Sequence, residues 1–250
     1  MSKTLKIHSI ETFGVHDGPG IRLVLFAQGC PFRCLYCHNP DTQDLETDKT
    51  ETKTIREIIK LLEREKPYFG ENGTRGGLTV SGGEPTLQAK AVLALFKEAK
   101  AEGFHTCLDT CGAIVSKDVE DLYRFTDLLL LDVKHIDDVW HRKLVGQSNF
   151  NVLANAKIRE KSGREMWLRY VLVPGWTDQE EHLTAWAKYF AHFKTVTRVE
   201  ILPYHELGKH KYQELGRDYQ LKEVKPPSKE EIQIAKDIFS KYLGDRVVVS

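Results

Sequence analysis

The sequence predicts an α/β protein built on a parallel sheet, and three observations carry that expectation. Strand-like apolar runs alternate with helix-like amphipathic segments through six cycles. No repeat, low-complexity tract or Gly/Ser linker interrupts the alternation, so residues 1–250 read as a single domain, with a core over about 15–205 and a C-terminal helix and strand over about 228–250. The polar candidates for chemistry recur at or just past the C-terminal ends of the strand-like runs, where barrels and open α/β sheets both build their sites. Periodicity leaves open whether the sheet is doubly wound or curved into a partial barrel.

Each element has a local cause. Residues 21–27 (IRLVLFA) are a short apolar run rich in β-formers, and 54–65 then place Ile55, Ile58, Ile59 and Leu62 at helical spacing behind a Thr54-x-x-Glu57 capping box. A second strand at 78–80 precedes a helix with Val92, Leu95, Phe96 and Ala99 on one face. Residues 105–109 make the third strand, ahead of a weaker helix near 118–123. The run 128–133 has the continuous apolar pattern of a buried strand, and helical segments follow to about Glu160. Strands at 166–173 and 196–202 bracket a helix through Leu183, Trp186, Ala187 and Phe190. The last helix starts after Pro226-Pro227 at a Ser228-x-x-Glu231 box, and 247–249 reads as a terminal strand.

Composition narrows the function classes. In 250 residues, 36 Lys and Arg balance 36 Asp and Glu, so no global positive field gathers nucleic acid or anionic lipid. The densest apolar run, Leu128 to Leu131, ends at Asp132, far short of the ~18 residues of a membrane span. The N-terminus alternates polar and apolar residues without a signal-peptide core, and a cytosolic location is expected. Five cysteines are too few for a disulfide scaffold in a chain of this length.

Three of the five, Cys30, Cys34 and Cys37, fall within eight residues. Three thiolates on one short loop suit a metal centre. A [4Fe-4S] cube with three cysteine ligands leaves one iron open to a small molecule, which makes it a reaction site. A structural zinc site closed by His38 is the alternative, although neighbours in sequence project in different directions and there is no second CxxC. Three reduced cysteines without a ligand role is the other. Ser81-Gly82-Gly83-Glu84-Pro85 follows the second strand, and its glycines allow a ligand close to the backbone, or simply a turn. Asp132-Val133-Lys134 ends the fourth strand with an abrupt switch from apolar to charged residues, which also fits a strand-end salt bridge. Arg169 lies among Trp167, Leu168, Tyr170 and Val171 and needs a buried anionic partner. Cys107 and Cys111 lack ligand spacing to the first three and read as structural.

The run Cys30-Pro31-Phe32-Arg33-Cys34-Leu35-Tyr36-Cys37 resembles the CxxxCxxC signature of the radical S-adenosylmethionine superfamily. That resemblance implies a partial (β/α)6 TIM-like barrel, a [4Fe-4S] cluster on Cys30, Cys34 and Cys37, and S-adenosylmethionine as cofactor. It implies cofactor contacts from Tyr36, Cys37, His38, Gly82, Gly83, Glu84, Asp109, Asp132, Val133, Lys134, Arg169 and His205. The glycine motif would meet the methionine amino group, Lys134 the carboxylate, and His205 the adenine or ribose. A monovalent cation among Asp109, Thr110 and Asp132 is expected if those oxygens gather near the cofactor carboxylate.

The resemblance sharpens at Asp17-Gly18-Pro19-Gly20-Ile21-Arg22, which is typical of activases that install a glycyl radical on a partner enzyme. Further matches include His105-Thr106-Cys107-Leu108-Asp109-Thr110, Val173-Pro174-Gly175-Trp176 and Leu202-Pro203-Tyr204-His205-Glu206-Leu207-Gly208-Lys209-His210-Lys211. Residues 41–77 contain no cysteine, which is similar to the short, single-cluster activases of pyruvate formate-lyase. The resemblance thus implies pyruvate formate-lyase as partner, a low-potential donor such as flavodoxin, a monomer, and Asp17 as a contact to the partner's glycyl-radical loop. No acid–base residue is required. An activase of another glycyl-radical enzyme, such as anaerobic ribonucleotide reductase, and a zinc-stabilised binding module are the competing readings.

Overall fold

A computed structural model describes residues 4–70 and 76–250; part of the glycine-rich loop at 70–77 lies outside the described residues. The chain forms two compact units, Met1–Pro31 with Thr42–Leu130, and Phe32–Asp41 with Leu131–Ser250. The division passes through the cysteine loop, leaving Cys30 in the first unit and Cys34 and Cys37 in the second.

The first unit contains β1 (Thr4–Gly14), β2 (Arg22–Ala27), β3 (Glu51–Thr54), α1 (Ile55–Glu65), β4 (Gly77–Gly82), α2 (Ala89–Ala101), β5 (His105–Thr110) and α3 (Lys117–Tyr123). Strands β2, β4 and β5 are parallel neighbours, with Arg22 beside Gly77 and Gly77 beside His105. Leu23, Val24, Leu25, Leu78, Val80, Cys107 and Leu108 are all buried, as expected of strands covered on both faces. Against them α1 lays Ile55, Ile58 and Leu62, and α2 lays Val92, Leu95, Phe96 and Ala99. The Thr54/Glu57 capping box forms as expected and is worth about 1 kcal/mol.

Strands β1 and β3 were not expected. β1 runs antiparallel to both β2 and β3. Over its second half β1 is largely exposed, and β3 (ETKT) has no apolar residue, so only the alternating Leu5 and Ile7 carry a burial signal. The cause of both strands is pairing with a neighbouring strand, which periodicity does not report.

β6 (Leu128–Asp132) crosses the division. The second unit continues with α4 (Asp138–Val145), α5 (Phe150–Lys161), β7 (Met166–Leu172), α6 (Glu180–Phe190), β8 (Val196–Pro203), α7 (Lys209–Glu214), α8 (Lys229–Leu243) and β9 (Val247–Val249). Strands β7, β8 and β9 are parallel. Trp186 of α6 stacks on Phe239 of α8 at 4.8 Å, and Tyr170 of β7 meets both rings edge-on. Such pairs add roughly 1 kcal/mol each beyond burial. The Trp186 indole donates to the Val133 carbonyl at 3.1 Å, so the largest buried side chain of this layer leaves no polar atom unmet.

His135, fully buried just past β6, makes this unit acid-sensitive. Its Nδ1 accepts the Asp137 N–H at 3.0 Å, its ring meets that of His182 at 4.7 Å, and it stacks on Trp140. Burial, with His182 and His141 nearby, lowers its pKa to about 4, and His141 is lowered too. Between pH ~6.5 and ~4 the unfolded chain therefore binds protons that the folded chain refuses. Stability should fall as pH drops through that window, and His135→Gln should flatten the fall; urea midpoints at pH 7 and 4.5 for both chains check this.

Candidate active site

In the first unit the C-terminal strand ends are knotted together by backbone. Past β2, Gly29 N–H donates to Thr42 O and Cys30 N–H to Gln43 O, at 2.9 and 3.1 Å. From the end of β4, Gly83 N–H donates to Ala27 O and Glu84 N–H to Gly29 O, at 2.9 and 2.8 Å. These contacts explain both glycines. Gly82 has φ +107°, and a Cβ there would lie 2.3 Å from Ala27 N, whereas at Gly83 it would lie 2.3 Å from Gly29 O. The pair is required for close approach to the residue before Cys30. The Gly83 and Glu84 N–H groups are both engaged in this packing.

Glu84 is turned inward and has no exposed surface. Its carboxylate accepts the Thr86 N–H and hydroxyl at 2.9 and 2.6 Å, the Thr110 hydroxyl at 2.7 Å, and the Cys111 N–H and S–H at 2.8 Å each. Glu84 thus ties the end of β4 to the end of β5. Asp109 accepts the Ser81 hydroxyl at 2.6 Å. Of the oxygens expected around a cation, the Thr110 hydroxyl is directed to Glu84 and Asp109 binds Ser81.

The Asp17–Arg22 segment occupies the opposite, N-terminal edge of the same strands. Arg22, fully buried, donates to Pro19 O, Leu78 O and the Thr79 hydroxyl, and lies 3.3 Å from His105 Nδ1. Thr79 in turn donates to Asp17 O at 2.7 Å. Gly18 packs so closely that a Cβ would reach 2.8 Å from the Cys107 sulfur. Burial lowers the Arg22 pKa while the Cys107 and Asp17 charges oppose that shift. One guanidinium fork therefore shapes the loop that presents Asp17, a role the sequence did not reveal. Replacing it, Arg22→Leu, strands the Pro19 and Leu78 carbonyls, and should cost roughly 3 kcal/mol in urea unfolding; Arg22→Lys should recover only part, since an ammonium lacks the fork.

The second unit packs its C-terminal segment onto the rest of the cysteine loop. Arg33 and Leu35 N–H groups donate to Val145 O and Leu144 O, and Cys37 N–H to Cys34 O. Leu35, Tyr36 and Cys37 rest on a core of Val173, Tyr204, Tyr212, Tyr219 and Leu221. Lys211 binds Asn39 at 2.9 Å and Asp41 at 3.2 Å, and Arg217 donates to Pro40 O. A Cβ on Gly208 would sit 2.9 Å from the His38 Cα and carbonyl. These clasp residues lie beyond the core expected over about 15–205, and only the LPYHELGKHK match signalled some of them.

At the strand ends of this unit, Lys134 is buried, pairs with Asp132 at 3.1 Å and stands 5.5 Å above the Tyr36 ring. Burial raises the Tyr36 phenol well above its usual range, with Lys134 opposing. Val133 has its N–H on Arg169 O and its carbonyl on Trp186, so its backbone serves the fold. Arg169 finds the buried anion it needed in Glu200, its cross-strand neighbour, at 3.1 Å. The exposed His205 ring meets His38 edge-on at 4.8 Å. Burial lowers the His38 pKa, and His205 and Lys211 add to the shift.

The five cysteines form no disulfide, and Cys30, Cys34 and Cys37 are all half-buried. Among the described residues no three His, Cys, Asp or Glu side chains converge on a single metal ion. A cube asks for a different arrangement, because each thiolate binds its own iron. The profile of the radical SAM superfamily matches residues 24–187. The pyruvate formate-lyase-activating enzyme of Staphylococcus epidermidis is 45% identical over 235 residues, 92% of each chain. The chain belongs to the pyruvate formate-lyase-activating enzyme family of the radical SAM superfamily.

Pyruvate formate-lyase 1-activating enzyme of Escherichia coli is 43% identical over 250 residues, covering 99% of this chain and all of that one. Among solved structures, Streptococcus suis SuiB bound to its precursor peptide SuiA superposes with a TM-score of 0.70 over 97% of this chain and 50% of that chain, at 15% identity. That likeness is one of fold, and the radical SAM core is the alternative that periodicity left open. The family makes the chain an enzyme. No helix of the described residues is long and apolar enough to cross a membrane.

Proposed function

We propose that this chain, working as one radical SAM domain, activates a pyruvate formate-lyase by installing a glycyl radical on it. The observation that carries the reading is 43–45% identity to such enzymes over 92–99% of the chain. The donor set fits the group the family implies: three thiols on one short loop, half-buried, with the backbone beside them pinned from both flanks. Cys30, Cys34 and Cys37 would hold a [4Fe-4S] cluster. When bound, the reduced cluster and S-adenosylmethionine supply a 5′-deoxyadenosyl radical that takes a hydrogen atom from a glycine Cα of the partner.

The protein's task is position and exclusion of water. The Gly82–Gly83 carbonyls suit the methionine amino group, the Lys134 ammonium suits its carboxylate, and Tyr36, His38 and His205 supply ring surfaces for the nucleoside. Arg169, neutralised by Glu200, braces the strand next to Val133. Asp17 stands at the far end of β2 from Cys30, about six residues or roughly 20 Å away at the rise of a strand. A partner loop that touches Asp17 and delivers its glycine near Cys30 must be extended over that length. The donor in this reading is a flavodoxin-like protein, the chain acts as a monomer in the cytosol, and a monovalent cation near Asp109 and Asp132 would appear as Na⁺ or K⁺ dependence.

Reduced protein, S-adenosylmethionine and inactive pyruvate formate-lyase, mixed without oxygen, should give the EPR doublet of a glycyl radical. No signal there, with one on anaerobic ribonucleotide reductase, would transfer the assignment to that partner. A colourless protein with stoichiometric zinc would overturn the reading altogether.

A further inference from the structure

Cys111 has neither metal-ligand spacing nor a surface position, yet it is bonded to the buried Glu84. It follows β5 directly, is 7% exposed, and gives both its N–H and its S–H to Glu84 Oε2. Glu84 is bound through its own N–H to the carbonyl of Gly29, the residue before Cys30. Cys111, Glu84 and the residue before Cys30 thus form a chain in the first unit: hydrogen bonds join Cys111 to the Glu84 carboxylate, and the Glu84 N–H joins it to Gly29.

We propose that Cys111 is a positioning residue for Cys30, keeping satisfied the buried carboxylate of Glu84, whose N–H holds the residue before Cys30. The inference rests on the reading of Cys30 as a cluster ligand. A carboxylate short of a donor leaves more uncompensated negative charge beside the cluster and makes an added electron less favourable. Groups that orient a metal ligand commonly matter nearly as much as the ligand itself.

Three measurements on the reconstituted enzyme test this: the EPR-monitored reduction midpoint, the rate of iron release to a chelator, and the urea midpoint. Cys111→Ala should lower the ratio of reduced to oxidised cluster about tenfold at a fixed reductant poise, ~59 mV for a one-electron couple, and speed iron release several-fold. Cys111→Ser retains a donor to Glu84 and should stay close to the parent in both. Cys111→Val fills the space without a donor; it should match alanine in potential and keeps the test available where alanine does not fold. A parental midpoint and iron-release rate in both the alanine and valine chains would overturn the proposal, as would a serine chain no better than alanine. Cys30→Ser separates the two levels. Its loss of the cluster leaves the inference to stand or fall on the Cys111 series, whereas retention removes Cys30 as a ligand and the inference with it.

Discussion

Cys34→Ala should abolish glycyl-radical formation while leaving the fold intact. Cys34 is half-buried, with its carbonyl taking the Cys37 N–H, so truncation leaves the loop backbone contacts in place. It removes one of three thiolates, and a cube that already leaves one iron open has none to spare. The purified chain should lose the broad absorbance near ~400 nm and nearly all its iron, and the partner's radical signal should fall to background. Cys107→Ala is the control. Cys107 is fully buried on β5, so alanine there should cost about 1 kcal/mol of stability and spare the cluster. A brown, active Cys34→Ala enzyme would disprove the ligand assignment.

Glu84→Ala should be the most destabilising single change at the strand ends. It strands the Thr86 and Cys111 N–H groups in a buried place, each costing roughly 1–3 kcal/mol, and leaves a cavity; the hydroxyls and the thiol can turn to other partners. The sum is about 4 kcal/mol, a large share of the stability of an ordinary domain. Glu84→Gln keeps the shape but presents an NH2 to groups that are themselves donors, so it should fall between parent and alanine. Urea unfolding reads the stability. Cleavage of S-adenosylmethionine without the partner should fall in both variants, because Glu84 N–H holds the residue before Cys30 and the carboxylate holds the end of β5. A Glu84→Ala chain of parental stability would show that the carboxylate does not bind the two strand ends together.

Much of the architecture was legible because its cause is local. The runs that became β2 and β6 are apolar enough to declare burial on both faces, and α1 and α8 announce their starts with capping boxes at Thr54 and Ser228. Strands β1 and β3, and helix α7, were not legible: their cause is pairing or packing against segments distant in sequence. The site divides in the same way. Cys30, Cys34 and Cys37 stand out as candidate ligands because metal ligation demands residue type and spacing together. Glu84 stood out as part of a motif, but its inward-facing role did not, since the donors that engage it come from Thr86, Thr110 and Cys111. Arg22 was noticed only as a letter in DGPGIR, and its fork onto Pro19, Leu78 and Thr79 depends on the register of β2 with β4.

The five cysteines mark where one kind of knowledge ends and the other begins. Sequence alone singled out three of them as candidate ligands, because ligand spacing is written along the chain. It also determined the family, since the matching segments run from Asp17 to Lys211. Only the tertiary structure distinguished the remaining two, placing Cys107 beneath the Gly18 turn and Cys111 against the Glu84 carboxylate. Their surroundings come from strand ends brought side by side by the sheet, and a thiol's role outside a ligand set is decided by what lies within a hydrogen bond of it.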